Sequence, residues 1–267
     1  MGWAGGLRRW AFYGFCGAVF LYLILPVLVV VPMSFSSSRY LRFPPPGLSL
    51  RWYANYLGDP EWTGATVRSL IVATLVTAIC TVVGTMAALG LVRGTFRGKQ
   101  LVNSLIVSPM VVPVIIVAIA LYFFYAPFKT WGMPLIGTVP GLVIAHSLLA
   151  LPLVVINVSA TLKGFDRHLE MASQNLGASP LVTFRRVTFP LIRPGVVSGA
   201  LFAFITSFDE LVIAIFISGS TARTLPVKMW EGIRLEIDPT IAAVSSLLIG
   251  LSVALLLVLA LLRRERI

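Results

Sequence analysis

The chain has 267 residues, 58% hydrophobic and 12% charged, with a net charge of +11 and a mean hydropathy of +0.93. A soluble domain carries about 25% charged residues, and a soluble core cannot absorb this much apolar side chain, so composition excludes a soluble protein and makes lipid the solvent. The basic residues flank apolar runs, which fits membrane orientation and excludes nucleic acid as the partner.

In chain order, Arg8 and Arg9 precede a first apolar run, 11–33. It is too long for a signal-peptide core and ends in no small-x-small cleavage site. A spanning helix needs about 20 apolar residues, and five more segments qualify: 65–92, 101–125, 139–161, 191–218 and 240–262. With the N-terminus inside, thirteen basic residues fall on the inner side and eight on the outer, which predicts both termini in the cytoplasm.

The first outer loop, 34–61, contains PPP and is predicted to run extended over the surface. The inner stretch GTFRGKQ, 94–100, has three residues between its glycines where a phosphate loop needs four. Gln100 stands where Ser or Thr would hold magnesium, and no strand precedes it. It reads as a short basic loop, which leaves no ATP site in this stretch. Cys16 and Cys80 lie in apolar runs and read as small core residues, with no disulfide or metal site. Pro109, Pro113 and Pro152 interrupt hydrogen bonding within spans and permit kinks. His146, alone on its apolar helix, reads as satisfied by a nearby carbonyl.

Residues 169–190 read LEMASQNLGASPLVTFRRVTFP, between the fourth and fifth runs. Leu169, Ala172 and Leu176 share a helical face, and Gly177 ends that helix. Ser179 and Pro180 open a second helix as N-cap and first residue, Phe184 and Val187 face the membrane, and Arg185 and Arg186 stay wet. Pro190 and Pro194 are predicted to stop this helix and open span five. Such a knob is either a lipid-surface loop or a docking element for a cytoplasmic partner.

Asp209 and Glu210 fall inside the fifth run, in FITSFDELVIAIF. Ionisable groups at membrane depth face a cavity or a partner. Adjacent helical positions differ by about 100°, so one lines a pathway and the other a helix interface. Two readings stay open: attraction of a cationic solute, or a structural pairing with Ser207, Thr206 or an arginine of a partner subunit. Finally, LPVKMWEGIRLEIDPT, 225–240, places Trp230, Ile233 and Ile237 on one face and predicts an amphipathic helix along the outer membrane surface.

The 169–190 segment resembles the EAA loop of ABC importer permeases: Glu-Ala-Ala, three residues, Gly, nine residues, Ile-x-Leu-Pro. Anchored on Gly177, the alanines fall on Ala172 and Ser173 and the closing proline on Pro190. Met171 occupies the glutamate position, and Glu170 stands one residue earlier. LKGFDRHLE, SFDELVIAIFISG and TLPVKMWEGIRLEIDPTIAAVSSLL are similar to permeases of the spermidine/putrescine subfamily.

The resemblance implies an all-α integral membrane protein of six transmembrane helices with the type I ABC importer transmembrane fold, in the bacterial inner membrane. It implies a first helix and outer loop at 1–63, a core at 64–262 containing a cytoplasmic coupling loop at 162–190, and a tail at 263–267. The coupling residues would be Glu170, Met171, Ala172, Ser173, Leu176, Gly177, Ala178, Ser179 and Pro190, and the pathway residues Asp209 and Glu210. The implied partners are a second permease subunit as heterodimer, two ATP-binding subunits on the loop, a periplasmic solute-binding protein and membrane lipid. No catalytic residue, metal or cofactor is expected in this chain. The implied solute is spermidine or putrescine. Met110 follows Ser108 and Pro109 where polyamine permeases can carry an acid, so 2-aminoethylphosphonate or an amino-acid derivative also fits. The rival readings are a proton- or ion-coupled secondary transporter using Asp209 and Glu210, and a membrane scaffold.

Overall fold

A computed structural model describes residues 3–235 and 239–264; Ile237 of the expected amphipathic face and residues 265–267 of the tail lie outside the described residues. The described residues form helices α1 (Trp3–Ser34), α2 (Arg51–Gly58), α3 (Pro60–Arg93), α4 (Lys99–Val107), α5 (Val114–Tyr125) and α6 (Val139–Gly164). They continue as α7 (His168–Asn175), α8 (Pro180–Thr183), α9 (Phe189–Phe208), α10 (Val212–Ile217), α11 (Leu225–Leu235) and α12 (Thr240–Arg264). Among them, four helices are long and apolar enough to cross a membrane, five if the bent α4–α5 pair is one span, and the apolar stretch Thr240–Val253 of α12 is shorter.

The chain divides into two compact units. One comprises residues 1–63 and 229–267, in which α1 packs on α12. The 34–61 loop, expected on the outer side, is less extended than expected. It folds back through a bridge between Ser36 and Leu48 and then forms α2. Trp52 and Tyr56, four residues apart and therefore on one face, are the buried side of that helix. The Trp52 indole N–H donates to the Ser36 carbonyl at 2.8 Å, and Asn55 donates to the Thr240 hydroxyl of α12 at 2.9 Å.

The second unit, residues 64–228, is built around the α6–α9 pair. Lipid is as apolar as the side chains, so close approach and dispersion contacts, more than hydrophobic exclusion, hold helices together there. The sequence supplies that approach with glycines. A Cβ at Gly199 would lie 3.0 Å from the Val154 Cα, and one at Gly84 would lie 2.8 Å from the Val154 Cβ. Around this crossing Val155, Val158, Leu162, Ile192 and Ala203 are buried. α10 packs on α5 and α6, with Ile213, Ala214 and Ile217 buried.

Two expected continuities and one expected break are corrected. The third apolar run is not one straight helix: α4 and α5 meet at 103° through a tight turn at Ser108–Met110. Pro113 lacks a donor and its ring disfavours helix at Val112, so the chain must bend there. The fifth run is not a continuous helix over 191–218; it breaks after Phe208. Pro190 and Pro194 do not stop the preceding helix. A wider π turn at Phe184–Thr188 carries α8 directly into α9, and the Phe189 N–H bonds to the Phe184 carbonyl. The widened turn relieves the clash that Pro190 would make in regular helix.

Candidate functional site

The 165–190 loop is a helix, a glycine turn and a second helix. Asp166 opens it: its carboxylate accepts the His168 backbone N–H at 2.9 Å and lies 2.7 Å from the His168 Nδ1. Those two bonds, the backbone one foremost, hold the Asp166 carboxyl below its ordinary range. A depressed carboxylate adds stability above its unfolded pKa, about 3.9, and loses it as pH falls through the lower folded value. Fraying of α7 in acid is therefore expected, read as loss of amide protection at His168.

Gly177 terminates α7 with φ +84°. The Ala178 N–H bonds to the Ser173 carbonyl at 3.2 Å and the Gly177 N–H to that of Gln174 at 2.9 Å, the pair of bonds that closes a glycine-ended helix. Ser179 then caps α8 by accepting the Val182 N–H at 3.4 Å, with Pro180 at the first helical position. Across the turn, the Ser173 and Thr183 hydroxyls lie 3.2 Å apart. Replacing Ser179 with alanine should cost about 1 kcal/mol of local stability, measured as roughly fivefold faster amide exchange at Val182.

Several apolar side chains of this loop are open, among exposed Gln174, Asn175, Arg185 and Arg186. Leu176 is 89% exposed, Leu181 66%, Leu169 49% and Met171 41%. Ala172, Gly177, Ser179 and Pro190 are also exposed, whereas Ala178 and Ser173 are half-buried. Glu170 differs from the rest of the predicted set because its carboxylate turns inward. One oxygen lies 3.0 Å from Arg93 Nε at the end of α3, and the other accepts the Thr188 hydroxyl at 2.8 Å. Arg93 also stacks on Phe165, 4.7 Å from the ring centre. Sequence reasoning counted Arg93 only as an inner-loop charge, since nothing in its local pattern points to a partner 77 positions away.

The second predicted pair sits at the α9–α10 break. Asp209 ends α9, with its N–H on the Ile205 carbonyl at 3.0 Å, and its side chain is exposed. Glu210 folds forward and accepts the Ile213 N–H at 2.9 Å, capping α10. Acidic side chains compete with backbone hydrogen bonding, which is why a helix gives way here. The break removes the premise that the two carboxylates point 100° apart on one helix. One turn earlier, the buried Ser207 hydroxyl lies 3.0 Å from His146 Nδ1, so that histidine's partner is a hydroxyl of α9 and not a carbonyl. His146 Nε2 is buried without a hydrogen-bond partner. Asn157 bonds back to the Leu153 carbonyl of its own helix.

Near the loop, a cavity of about 490 Å³ opens between the ends of α3, α4 and α6. Lys99, Gln100, Asn103, Ser159 and Lys163 line it with Leu91 and Val92. The GTFRGKQ stretch at its rim forms no phosphate loop: Lys99 is tied to the Gly94 carbonyl at 3.0 Å.

Comparison with known proteins gives a consistent picture. Residues 80–267 match the family described as "Binding-protein-dependent transport system inner membrane component". The putrescine transport system permease protein PotI of Escherichia coli K12 is 36% identical over 233 residues, 86% of this chain and 83% of that protein. The spermidine/putrescine transport system permease protein PotC of the same organism is 30% identical over 257 residues, 95% and 94% of the two chains. In solved structures, a chain of a bacterial ABC transporter that imports the acidic polysaccharide alginate superposes with a TM-score of 0.69 over 100% of this chain and 99% of that one. It is 14% identical, a likeness of fold.

Proposed function

From the premise that this chain belongs to the family of binding-protein-dependent transport system inner membrane components, we propose that it is the permease subunit forming half of a polyamine pathway, with ATP hydrolysed by partner subunits. Family membership and the names of the relatives support ATP-driven import over an ion-coupled secondary transporter. The chain spans the inner membrane with six helices and both termini in the cytoplasm, divided into 1–63, a core of 64–262 and a tail of 263–267. Its partners are a second permease, two ATP-binding subunits, a solute-binding protein and lipid.

One observation carries the docking role: a glycine-ended, serine-capped helical knob that exposes Leu176, Leu181 and Met171. Isolated exposed leucines are ordinary on a soluble surface, but a rigid knob that presents several of them fits a groove on another protein. Met171, Ala172, Ser173, Leu176, Gly177, Ala178, Ser179 and Pro190 form or shape that surface. When the ATP-binding subunits close, the knobs move together and the helices switch access; hydrolysis resets them.

Asp209, exposed and outside regular helix, is the carboxylate that meets a cationic solute, and Glu210 shapes the break. The test is ATPase stimulation in the complex reconstituted with its ATP-binding and solute-binding subunits, using spermidine, putrescine, monoamine amino acids and 2-aminoethylphosphonate. Stimulation by a polyamine is expected. Stimulation by a monoamine or the aminophosphonate alone would keep the importer and remove the polyamine.

A further inference from the structure

The docking helix α7 has eight residues and none of them is buried. An isolated helix of that length is unstable in water, and burial of an apolar face, the usual remedy, is absent here. Something else must hold it in place if force applied to the knob is to reach the membrane helices.

Among the described residues, the polar attachments of α7 side chains to the long helices run through Glu170. Its carboxylate is 13% exposed and the Arg93 side chain 21%. One oxygen engages the last turn of α3 through Arg93, 3.0 Å away, and the other takes the hydroxyl of Thr188, a buried residue at the start of α9. Arg93 in turn lies over Phe165, the residue that ends α6. One carboxylate thus joins the docking helix to the ends of three long helices. Partly withdrawn from water, such a pair is less screened than an exposed one. The Arg93 Nε and Nη2 are both buried without a hydrogen bond, so the pair is held by charge and neutralising Glu170 strands a cation.

We propose that Glu170 and Arg93 are positioning residues that clamp α7 to the ends of α3, α6 and α9, so that docking surface and membrane helices move as one body. Glu170 then acts inside the permease and touches no ATP-binding subunit. This rests on the reading of 169–190 as the docking element.

The experiment uses the full transporter in proteoliposomes, with spermidine as the probe, and measures spermidine taken up per ATP hydrolysed. The variants are Glu170→Gln, Arg93→Gln and the swap of Glu170→Arg with Arg93→Glu. Glutamine keeps the Thr188 acceptor and removes only the charge. Each single variant should retain the ATP-binding subunit and its basal hydrolysis while uptake per ATP falls about tenfold, the scale of leaving a partly buried charge unpaired. The swap should recover most of the loss. In the chain alone, amide exchange across 168–175 should quicken about tenfold in the single variants and slow again in the swap. Unchanged uptake per ATP in the single variants, or a swap as poor as they are, would overturn the clamp. So would loss of the ATP-binding subunit on Glu170→Gln, which would make Glu170 a contact residue. Failure of the docking reading looks different: the ATP-binding subunit would stay bound to the chain carrying Leu176→Glu.

Discussion

Leucine at Gly199 should abolish the folded permease. A Cβ there would sit 3.0 Å from the Val154 Cα and 3.3 Å from its Cγ1, and a backbone atom cannot rotate away. The rest of the leucine side chain has nowhere to go but between α6 and α9, and overpacking of this kind costs about 3 kcal/mol or more. Gly195 is tighter still, since its Cβ would meet the Thr161 hydroxyl and lie 2.9 Å from the Asn157 carbonyl. The expected result is near-complete loss of monodisperse protein after detergent extraction. Gly90→Leu is the control, because nothing lies within 4 Å of a Cβ there. Equal recovery of Gly199→Leu and Gly90→Leu would mean that α6 and α9 do not cross where the structure puts them.

The second large effect concerns transport. Asp209→Asn removes a charge from an exposed side chain without a packing role, so folding and basal ATP hydrolysis should be unchanged. Polyamine-stimulated hydrolysis should fall about tenfold or more, the scale of a charge-assisted contact to an ammonium group. Glu210→Gln retains an oxygen that can accept the Ile213 N–H and should have a much smaller effect. Glu210→Ala loses the cap and should cost about 1 kcal/mol of stability. Reversal of the order, with Glu210→Gln crippled and Asp209→Asn normal, would exchange the assigned roles.

Much of this was legible in the sequence because it is local. The apolar runs give α1, α3, α6 and α12 by length alone. Gly177, Ser179 and Pro180 specify the knob through backbone preferences that need no tertiary partner. The relation to binding-protein-dependent permeases was legible too, through glycine and proline spacing in the loop. The breaks were not. Whether Pro113 kinks or ends a helix depends on what packs beside the bend, and α6 packs on the Ser108–Met110 turn. Asp209 and Glu210 were legible as unusual, but Glu210 turns out to cap α10, a choice between backbone bonds that periodicity does not report. Helix α2 was missed because PPP drew attention, although Trp52 and Tyr56 one turn apart were the available cue. The Arg93–Glu170 pair joins positions far apart in the chain and had no cue beyond opposite charge.

Docking of the ATP-binding subunit on the 169–190 loop is tested most directly by how much of that subunit remains on the purified permease. The variants are Leu176→Glu, which puts a charge on the most exposed leucine of the knob, and Gly177→Trp, which strains a position at φ +84° and adds bulk to an open surface. Both should leave the chain folded, as judged by its elution and thermal midpoint, and strip the ATP-binding subunit from it. Full retention of that subunit on both folded variants would contradict the assignment, and the knob would then be a lipid-facing loop.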